Sequence, residues 1–258
     1  MSSVLLDIKD GIGFIVLNRP DRLNAFTREM AMLLQNRLDE CASLHEVRAV
    51  NITGAGRAFS AGQDLAEISD PEGPGMAVML RDYYNPIVTR IRNLPKPVVA
   101  AVGGVAAGAG ANIALCCDIV LAGKSASFIQ AFSKIGLIPD SGGTWFLPRL
   151  VGWQKAAGIA MLGDKIGAVE AERMGMVYKV YEDDEFQGAS RALTAVLAQM
   201  PTRALAFTKH AFNYSATNTL EAQLLLEDDL QQKAAQTKDY AEGVRAFLDK
   251  RVPLFRGE

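Results

Sequence analysis

Hydrophobic positions alternate in short runs over the first part of the chain and recur at helical spacing later, with glycine-rich breaks where the period changes. Val4-Leu5-Leu6-Asp7-Ile8 and Ile12-Gly13-Phe14-Ile15-Val16-Leu17-Asn18 flank Lys9-Asp10-Gly11, which predicts a hairpin. Arg19-Pro20-Asp21-Arg22 then leaves the sheet, and Thr27 is placed to cap a helix whose Met30, Leu33, Leu34, Leu38 and Cys41 share one face. Val47 to Thr53, Pro97 to Val102, Asp118 to Gly123 and Ser127 to Ile129 are short apolar runs of the kind found in buried strands. Between them, Met76 to Leu94 resumes helical spacing through Val78, Met79, Tyr83, Ile87, Val88 and Ile91.

From Trp153 onward the pattern is mostly helical: Lys155 to Met161, Ala168 to Met174, Glu185 to Met200, Thr202 to Ser215, Leu220 to Lys233 and Asp239 to Lys250. Val177-Tyr178-Lys179-Val180 is the single late strand signal. Strands first and helices last predict an α/β core with a helical tail, divided here into residues 1–200 and 201–258. The apolar residues Leu220, Leu224, Leu225, Leu226 and Leu230 suit a subunit contact, and internal packing accounts for them nearly as well.

Two breaks carry candidate chemistry. Gly103-Gly104-Val105-Ala106-Ala107-Gly108-Ala109-Gly110-Ala111-Asn112 follows one buried strand and opens a helix, whose first N–H groups have no partner within the helix. Such a helix start favours negative charge, and residues this small admit a ligand oxygen to the main chain. Gly54-Ala55-Gly56-Arg57-Ala58-Phe59-Ser60-Ala61-Gly62-Gln63-Asp64-Leu65 follows a second strand and offers a second set of donors toward the same cleft, so that two such turns can hold one oxygen between them. The structural alternative is that these small residues only permit close packing. A third segment, Ile138-Pro139-Asp140-Ser141-Gly142-Gly143-Thr144-Trp145-Phe146, holds a carboxylate, Asp140, that either caps a helix beginning near Ser141 or sits half-desolvated among Ile138, Trp145 and Phe146. Desolvation raises a carboxylate's pKa and makes it a useful base. The segment Ile68 to Gly75 has the composition of a mobile loop, read as either a lid or an ordinary surface connection.

Composition removes several classes. With 27 basic and 29 acidic residues and a net charge of −2, the chain of 258 residues has no polyanion-binding footprint, so nucleic acid is not expected as a partner. A charged leader before an apolar core is missing at Met1-Ser2-Ser3-Val4-Leu5-Leu6-Asp7, and no uncharged apolar stretch reaches about 18 residues, so a cytoplasmic protein without membrane contact is expected. His45 and His210 are not spaced as metal ligands, and Cys41, Cys116 and Cys117 read as buried filler, so no metal is expected. Gly123-Lys124-Ser125 is not the end of a phosphate loop, because position 118 is Asp where that motif needs Gly.

Asn18-Arg19-Pro20 with Leu23-Asn24-Ala25, the Gly54 to Leu65 turn, and Pro95-Lys96-Pro97-Val98-Val99-Ala100-Ala101-Val102 with its glycine turn resemble the crotonase (enoyl-CoA hydratase/isomerase) superfamily. The closing Tyr240 to Arg251 segment is also similar to that family's last helix. The resemblance implies an α/β spiral of ββα turns with a C-terminal helical trimerisation region, a homotrimer or dimer of trimers, and an acyl-CoA thioester as substrate. Coenzyme A is then part of the substrate, and no separate cofactor is implied. It places an oxyanion hole on the N–H groups of Gln63 and Ala109, and Asp140 as acid/base. It places the CoA ester along Arg22, Leu23, Ala25, Ala61, Asp64 and Leu65, with Gly110, Asn112 and Phe132 completing the contacts. The two catalytic glutamates of the family's hydratases align with Asn112 and Phe132, so neither carboxylate is present. Ala131 to Trp145 and Tyr83-Tyr84-Asn85-Pro86 are most similar to the branch that isomerises ring-1,2-epoxyphenylacetyl-CoA to its oxepin. A Δ3,Δ2-enoyl-CoA isomerase, a hydratase-like enzyme of fatty-acid oxidation and a non-catalytic acyl-CoA-binding subunit are the alternatives.

Overall fold

The computed structural model describes residues 2–68, 73 and 75–258. The expected lid therefore lies outside the described residues at 69–72 and 74. Strands β1 (Val4–Lys9) and β2 (Ile12–Leu17) form the antiparallel hairpin, and α1 (Arg28–Ser43) follows with the Thr27 hydroxyl accepting from Met30 N–H. The chain then repeats a ββα turn. The first turn is β3 (Ala49–Gly54), β4 (Ala58–Ser60), the short α2 (Leu65–Ile68) and a helical run comprising α3 (Met76–Val78), Met79–Tyr84 and α4 (Asn85–Asn93). The second is β5 (Val98–Val102), β6 (Val105–Ala107) and α5 (Ala109–Leu115). The third is β7 (Ile119–Gly123), β8 (Ser127–Ile129), a 3-10 turn over Ala131–Ile135 and α6 (Gly143–Val151).

The first strand of each turn enters one sheet and the second strand enters another, which makes the arrangement a spiral. With β10 (Lys179–Tyr181), the larger sheet has the order β1-β2-β3-β5-β7-β10, parallel except at the opening hairpin. The smaller sheet runs β4-β6-β8 in parallel and closes with β9 (Lys165–Gly167) antiparallel. The remaining helices are α7 (Trp153–Leu162), α8 (Ala168–Arg173), α9 (Asp183–Gln199), α10 (Thr202–Ser215), α11 (Leu220–Ala235) and α12 (Lys238–Leu248). Strand β5 is buried on both faces: Val98, Ala100 and Val102 join the main core with Leu34 and Leu38 of α1, while Val99 and Ala101 meet Leu121 and Phe186 of α9. Such two-sided burial accounts for a continuous apolar run where a half-exposed strand would alternate. The turns stack closely enough that a Cβ on Gly104 would lie 2.2 Å from the Arg57 carbonyl oxygen.

Sequence reading treated the two glycine-rich segments as unbroken turns, whereas each contains a three-residue strand, β4 or β6. Neither run is long enough to show a period, and only pairing in the second sheet defines it. Strand β9 was missed for the same reason. Leu230 is buried, whereas Leu220, Leu224 and Leu225 stay exposed on α11. Arg48, just before β3, ties the C-terminal segment to the sheet by donating to the carbonyls of Met200 and Phe255 at 2.6 and 2.7 Å and to the Thr202 hydroxyl at 3.0 Å.

The helical run Met76 to Asn93 does not keep the regular spacing its apolar pattern predicted. Over Met79–Tyr84 it widens to π-helical geometry, with Asn85 N–H donating to the Leu80 carbonyl five residues back. Pro86 supplies the cause. It has no N–H for the Asp82 carbonyl four residues before it, and its ring would clash there in a regular helix. The buried Gln35 of α1 takes over, its Nε2 donating to the Asp82 and Tyr83 carbonyls at 2.8 and 3.2 Å. Removing this donor, as in Gln35→Leu, is expected to leave two interior carbonyls without their partner and to cost about 1–3 kcal/mol. A fall in the urea midpoint with unchanged slope would show it; an unchanged midpoint would contradict the role given to Gln35.

Candidate active site

Residue 63 follows β4, where the chain forms a parallel bridge to Phe26. Phe26 N–H donates to the Gly62 carbonyl at 2.7 Å, and Asp64 N–H donates to the Phe26 carbonyl at 2.9 Å. In this pattern the residue between the two bonded peptides turns its own N–H and C=O to the opposite side. Among the described residues the Gln63 N–H has no acceptor in the chain. Gly62, at φ +88°, makes the approach possible: a Cβ there would sit 2.8 Å from the Ala107 carbonyl oxygen and 3.5 Å from Ala109 N. The second glycine turn thus abuts the first.

Ala109 is the first residue of α5, so its N–H lies ahead of any intrahelical acceptor. Among the described residues it too is without a partner. Gly108 before it is held by donation to the Ile129 carbonyl at 2.9 Å. Gln63 and Ala109 line one cavity of about 130 Å³ with Ala61, Leu65, Met76, Met79, Tyr84, Phe132 and Asp140. Two donors of this kind at one apolar cavity are suited to binding a single oxygen that gains negative charge.

Asp140 reaches the cavity from the loop between the 3-10 turn and α6. It does not cap that helix, which corrects the structural alternative considered for it: Gly142 occupies the cap position, and the Asp140 main-chain carbonyl accepts from Gly143 N–H at 2.8 Å. The side chain is left free for the cavity, with one carboxylate oxygen accepting from the Ser141 hydroxyl at 2.9 Å. Burial raises its pKa above the ordinary value, against the opposing effect of the Ser141 hydroxyl and a backbone hydrogen bond. The source of that burial differs from the expected one. Ile138 is 78% exposed, and Trp145 and Phe146 line a separate depression with Arg92 and Tyr214. Leu137, Ile135 and Phe132 share the cavity with the carboxylate instead.

Asn112 and Gly110, expected to touch substrate, are not on the cavity wall. Asn112 is fully buried beneath it, donating through Nδ2 to the Asp140 carbonyl at 2.8 Å and accepting at Oδ1 from Gln130 Nε2 at 2.7 Å. Gly110 packs on Ser60. Arg22, Leu23, Ala25 and Asp64 also lie outside the cavity, along the chain leading to it. Arg19 joins two of them, donating to the Ala25 carbonyl and pairing with Asp64 at 3.0 Å. Sequence reading missed Tyr84 as a cavity residue. The π-helical turn brings positions five apart onto one face, so Met79 and Tyr84 both line the wall. In a regular helix five residues turn about 500°, which would set them roughly 140° apart. Pro86 within a helical pattern was the available signal.

No group of three or more His, Cys, Asp or Glu side chains among the described residues is arranged to hold a metal, and no helix among them is long and apolar enough to cross a membrane. A ββα spiral with two unpaired amides at a small apolar cavity defines an enzyme fold of the crotonase type, and the chain belongs to the enoyl-CoA hydratase/isomerase family, whose model matches residues 7–258. It is 46% identical over 261 residues to the 1,2-epoxyphenylacetyl-CoA isomerase of Escherichia coli K12, covering 100% of both chains. It is also 46% identical over 259 residues to a Rhodobacter capsulatus protein named "Probable enoyl-CoA hydratase", covering 99% of this chain and 98% of that one. A crystal structure of enoyl-CoA hydratase from Bacillus anthracis superposes with a TM-score of 0.92 at 31% identity, covering 99% and 100%.

The Asn112 arrangement makes a test of how Asp140 is held. Asn112→Asp is expected to destabilise the protein more than Asn112→Ala at neutral pH, because a carboxylate there opposes the Asp140 carbonyl inside the core. Burial raises the new group's folded pKa, so its penalty shrinks as falling pH protonates it and restores a donor. Thermal melting of both variants across pH measures the gap; a gap independent of pH would contradict the contact.

Proposed function

We propose that the protein is an acyl-CoA isomerase that converts 2-(1,2-epoxy-1,2-dihydrophenyl)acetyl-CoA to oxepin-CoA. One observation carries the choice of isomerisation: Asp140 is the one carboxylate among the described residues lining the cavity. The position aligned with one hydratase glutamate is the buried Asn112, engaged with main chain, and the other is the wall residue Phe132. Adding water to a double bond needs a base for the water and an acid for the carbon, whereas moving a proton within one molecule needs a single group that takes and returns it. The E. coli relative's name supports the same reaction.

The thioester oxygen accepts from the N–H groups of Gln63 and Ala109. Asp140 removes a proton from the α carbon, and the electron pair of that C–H bond passes into the enolate, whose oxygen carries the charge. The enolate re-forms its C=O as its pair becomes a double bond from the α carbon to the ring carbon that bears it; the bond between the two epoxide carbons breaks, its pair shifts along the ring diene to the far carbon of that system, and the six-membered ring expands around its oxygen. The proton on Asp140 returns to a ring carbon. Atoms and electrons balance without an external oxidant or reductant. Donors fixed in advance favour the enolate over the neutral ester, and the loss of one typically costs about 10²–10³ in rate. The CoA portion runs along Arg22, Leu23, Ala25, Ala61, Asp64 and Leu65. The exposed leucines of α11 serve a trimer or a dimer of trimers.

Hydration is the second reading, favoured by the equally similar R. capsulatus protein. A panel of acyl-CoA esters analysed by mass and ultraviolet absorption separates the two, since isomerisation leaves the mass unchanged and hydration adds one water. Asp140→Asn is expected to abolish turnover while acyl-CoA binding persists; full activity would remove Asp140 from the reaction. The acid limb of the wild-type pH–rate profile is expected above the ordinary Asp value of 3.8, because burial raises this group's pKa. The same shift means that ionised Asp140 costs folding stability once pH exceeds the unfolded pKa. Asp140→Asn is therefore also expected to melt higher than wild type at neutral pH and to lose that advantage in acid.

A further inference from the structure

Tyr84 is a buried polar side chain on the cavity wall whose hydroxyl points away from bulk water to one partner, Oε1 of Gln63. The other end of the Gln63 side chain is also held: Nε2 donates to Glu67 Oε2 at 3.1 Å and lies 3.4 Å from the Asp64 carbonyl. Glu67 is anchored in turn by the Arg28 N–H at the start of α1, which reaches its two oxygens at 2.9 and 3.1 Å. The Tyr84 ring is set edge-on to Phe26 at 6.0 Å, and Phe26 is the residue whose main chain brackets Gln63. The hydroxyl thus holds the Gln63 side chain, while the ring packs on the residue whose main chain brackets Gln63.

We propose that Tyr84 is a positioning residue that fixes the Gln63 N–H toward the substrate oxygen by clamping the Gln63 side chain. This rests on the enolate chemistry proposed above. Tyr84 is not the proton carrier. Burial, reinforced by the charges of Asp140, Glu67 and Asp64, pushes its pKa well above the ordinary range, so the hydroxyl stays neutral and keeps its hydrogen for Gln63. The clamp depends on the π-helical turn, which brings Tyr84 to the wall while Gln35 supports the carbonyls of Asp82 and Tyr83 behind it. An amide donor that drifts by a fraction of an ångström still binds a neutral ester but stabilises an enolate poorly, so the effect falls on the rate and spares ground-state binding.

The test follows deuterium uptake from solvent at the α carbon of phenylacetyl-CoA, with binding of the ester measured separately by calorimetry. Tyr84→Phe keeps the ring and removes only the donor. It is expected to slow exchange about 10- to 100-fold while the dissociation constant changes less than about twofold. Gln63→Met, which retains the N–H and removes the acceptor, is expected to do the same, and the double variant to be no slower than the slower single. Multiplied losses in the double variant would mean that Tyr84 acts on the substrate directly and would overturn the proposal, as would an unchanged rate for Tyr84→Phe. If Tyr84→Phe does not fold, Gln63→Met carries the same test, and wild-type exchange in that variant overturns it. Exchange in the unsubstituted protein with no effect of the substitutions removes only the clamp; absence of exchange in the unsubstituted protein removes the enolate reading and the clamp with it.

Discussion

A main-chain N–H without an acceptor is costly inside a protein, and among the described residues two of them, on Gln63 and Ala109, stand beside one cavity. Each is unpaired for a reason intrinsic to backbone geometry. Gln63 lies between the two peptides that Phe26 bonds, so its own N–H faces the other way. Ala109 starts a helix, where no preceding turn supplies an acceptor. The spiral makes the pair a site, because stacking one ββα turn on the next sets Gly62 against the start of α5. A polar ligand oxygen is the natural partner for such donors, and Asp140, Tyr84 and the apolar wall are arranged around the place it would occupy.

The carboxylate is held in place by a side chain beneath the cavity. Asn112 offers a donor to the Asp140 carbonyl that a glutamate at the same place would not. Its amide also receives Gln130, so the segment carrying Asp140 is tied to α5 and to the end of β8. In the proposed reaction, the desolvated Asp140 and the amides of Gln63 and Ala109 would together serve proton transfer within a bound ester. Phe132, Ile135 and Leu137 share the cavity with the carboxylate, and its burial there raises its pKa.

Much of the architecture was legible because its rules are local. The Lys9-Asp10-Gly11 turn, the Thr27 cap and the Thr202 to Ser215 helix appear where period and capping chemistry put them. The Gly54 to Leu65 and Gly103 to Asn112 segments could be read together from their strand-then-small-residue pattern, and the resemblance put the same pair in one oxyanion hole before their contact was known. Local rules misplaced Asp140 as a possible cap and set Ile138, Trp145 and Phe146 around it, since nearness in sequence stood in for nearness in space. Pro86 was visible, but its consequence required a partner: only with Gln35 opposite does the break become a π-helical turn and not the end of a helix.

The sequence by itself determined the order of the longer strands and helices, the two small-residue breaks and the acidic residue that follows them, because hydrophobic period, glycine freedom and capping act over a few neighbouring residues. Tertiary structure alone decided that Gln63, Tyr84, Ala109 and Asp140 share a wall, that Asn112 lies beneath it, and which side chains dry the carboxylate. These residues come from separate turns of the spiral. Their meeting depends on sheet pairing and on how closely successive turns stack, and those long-range contacts leave no period in the chain.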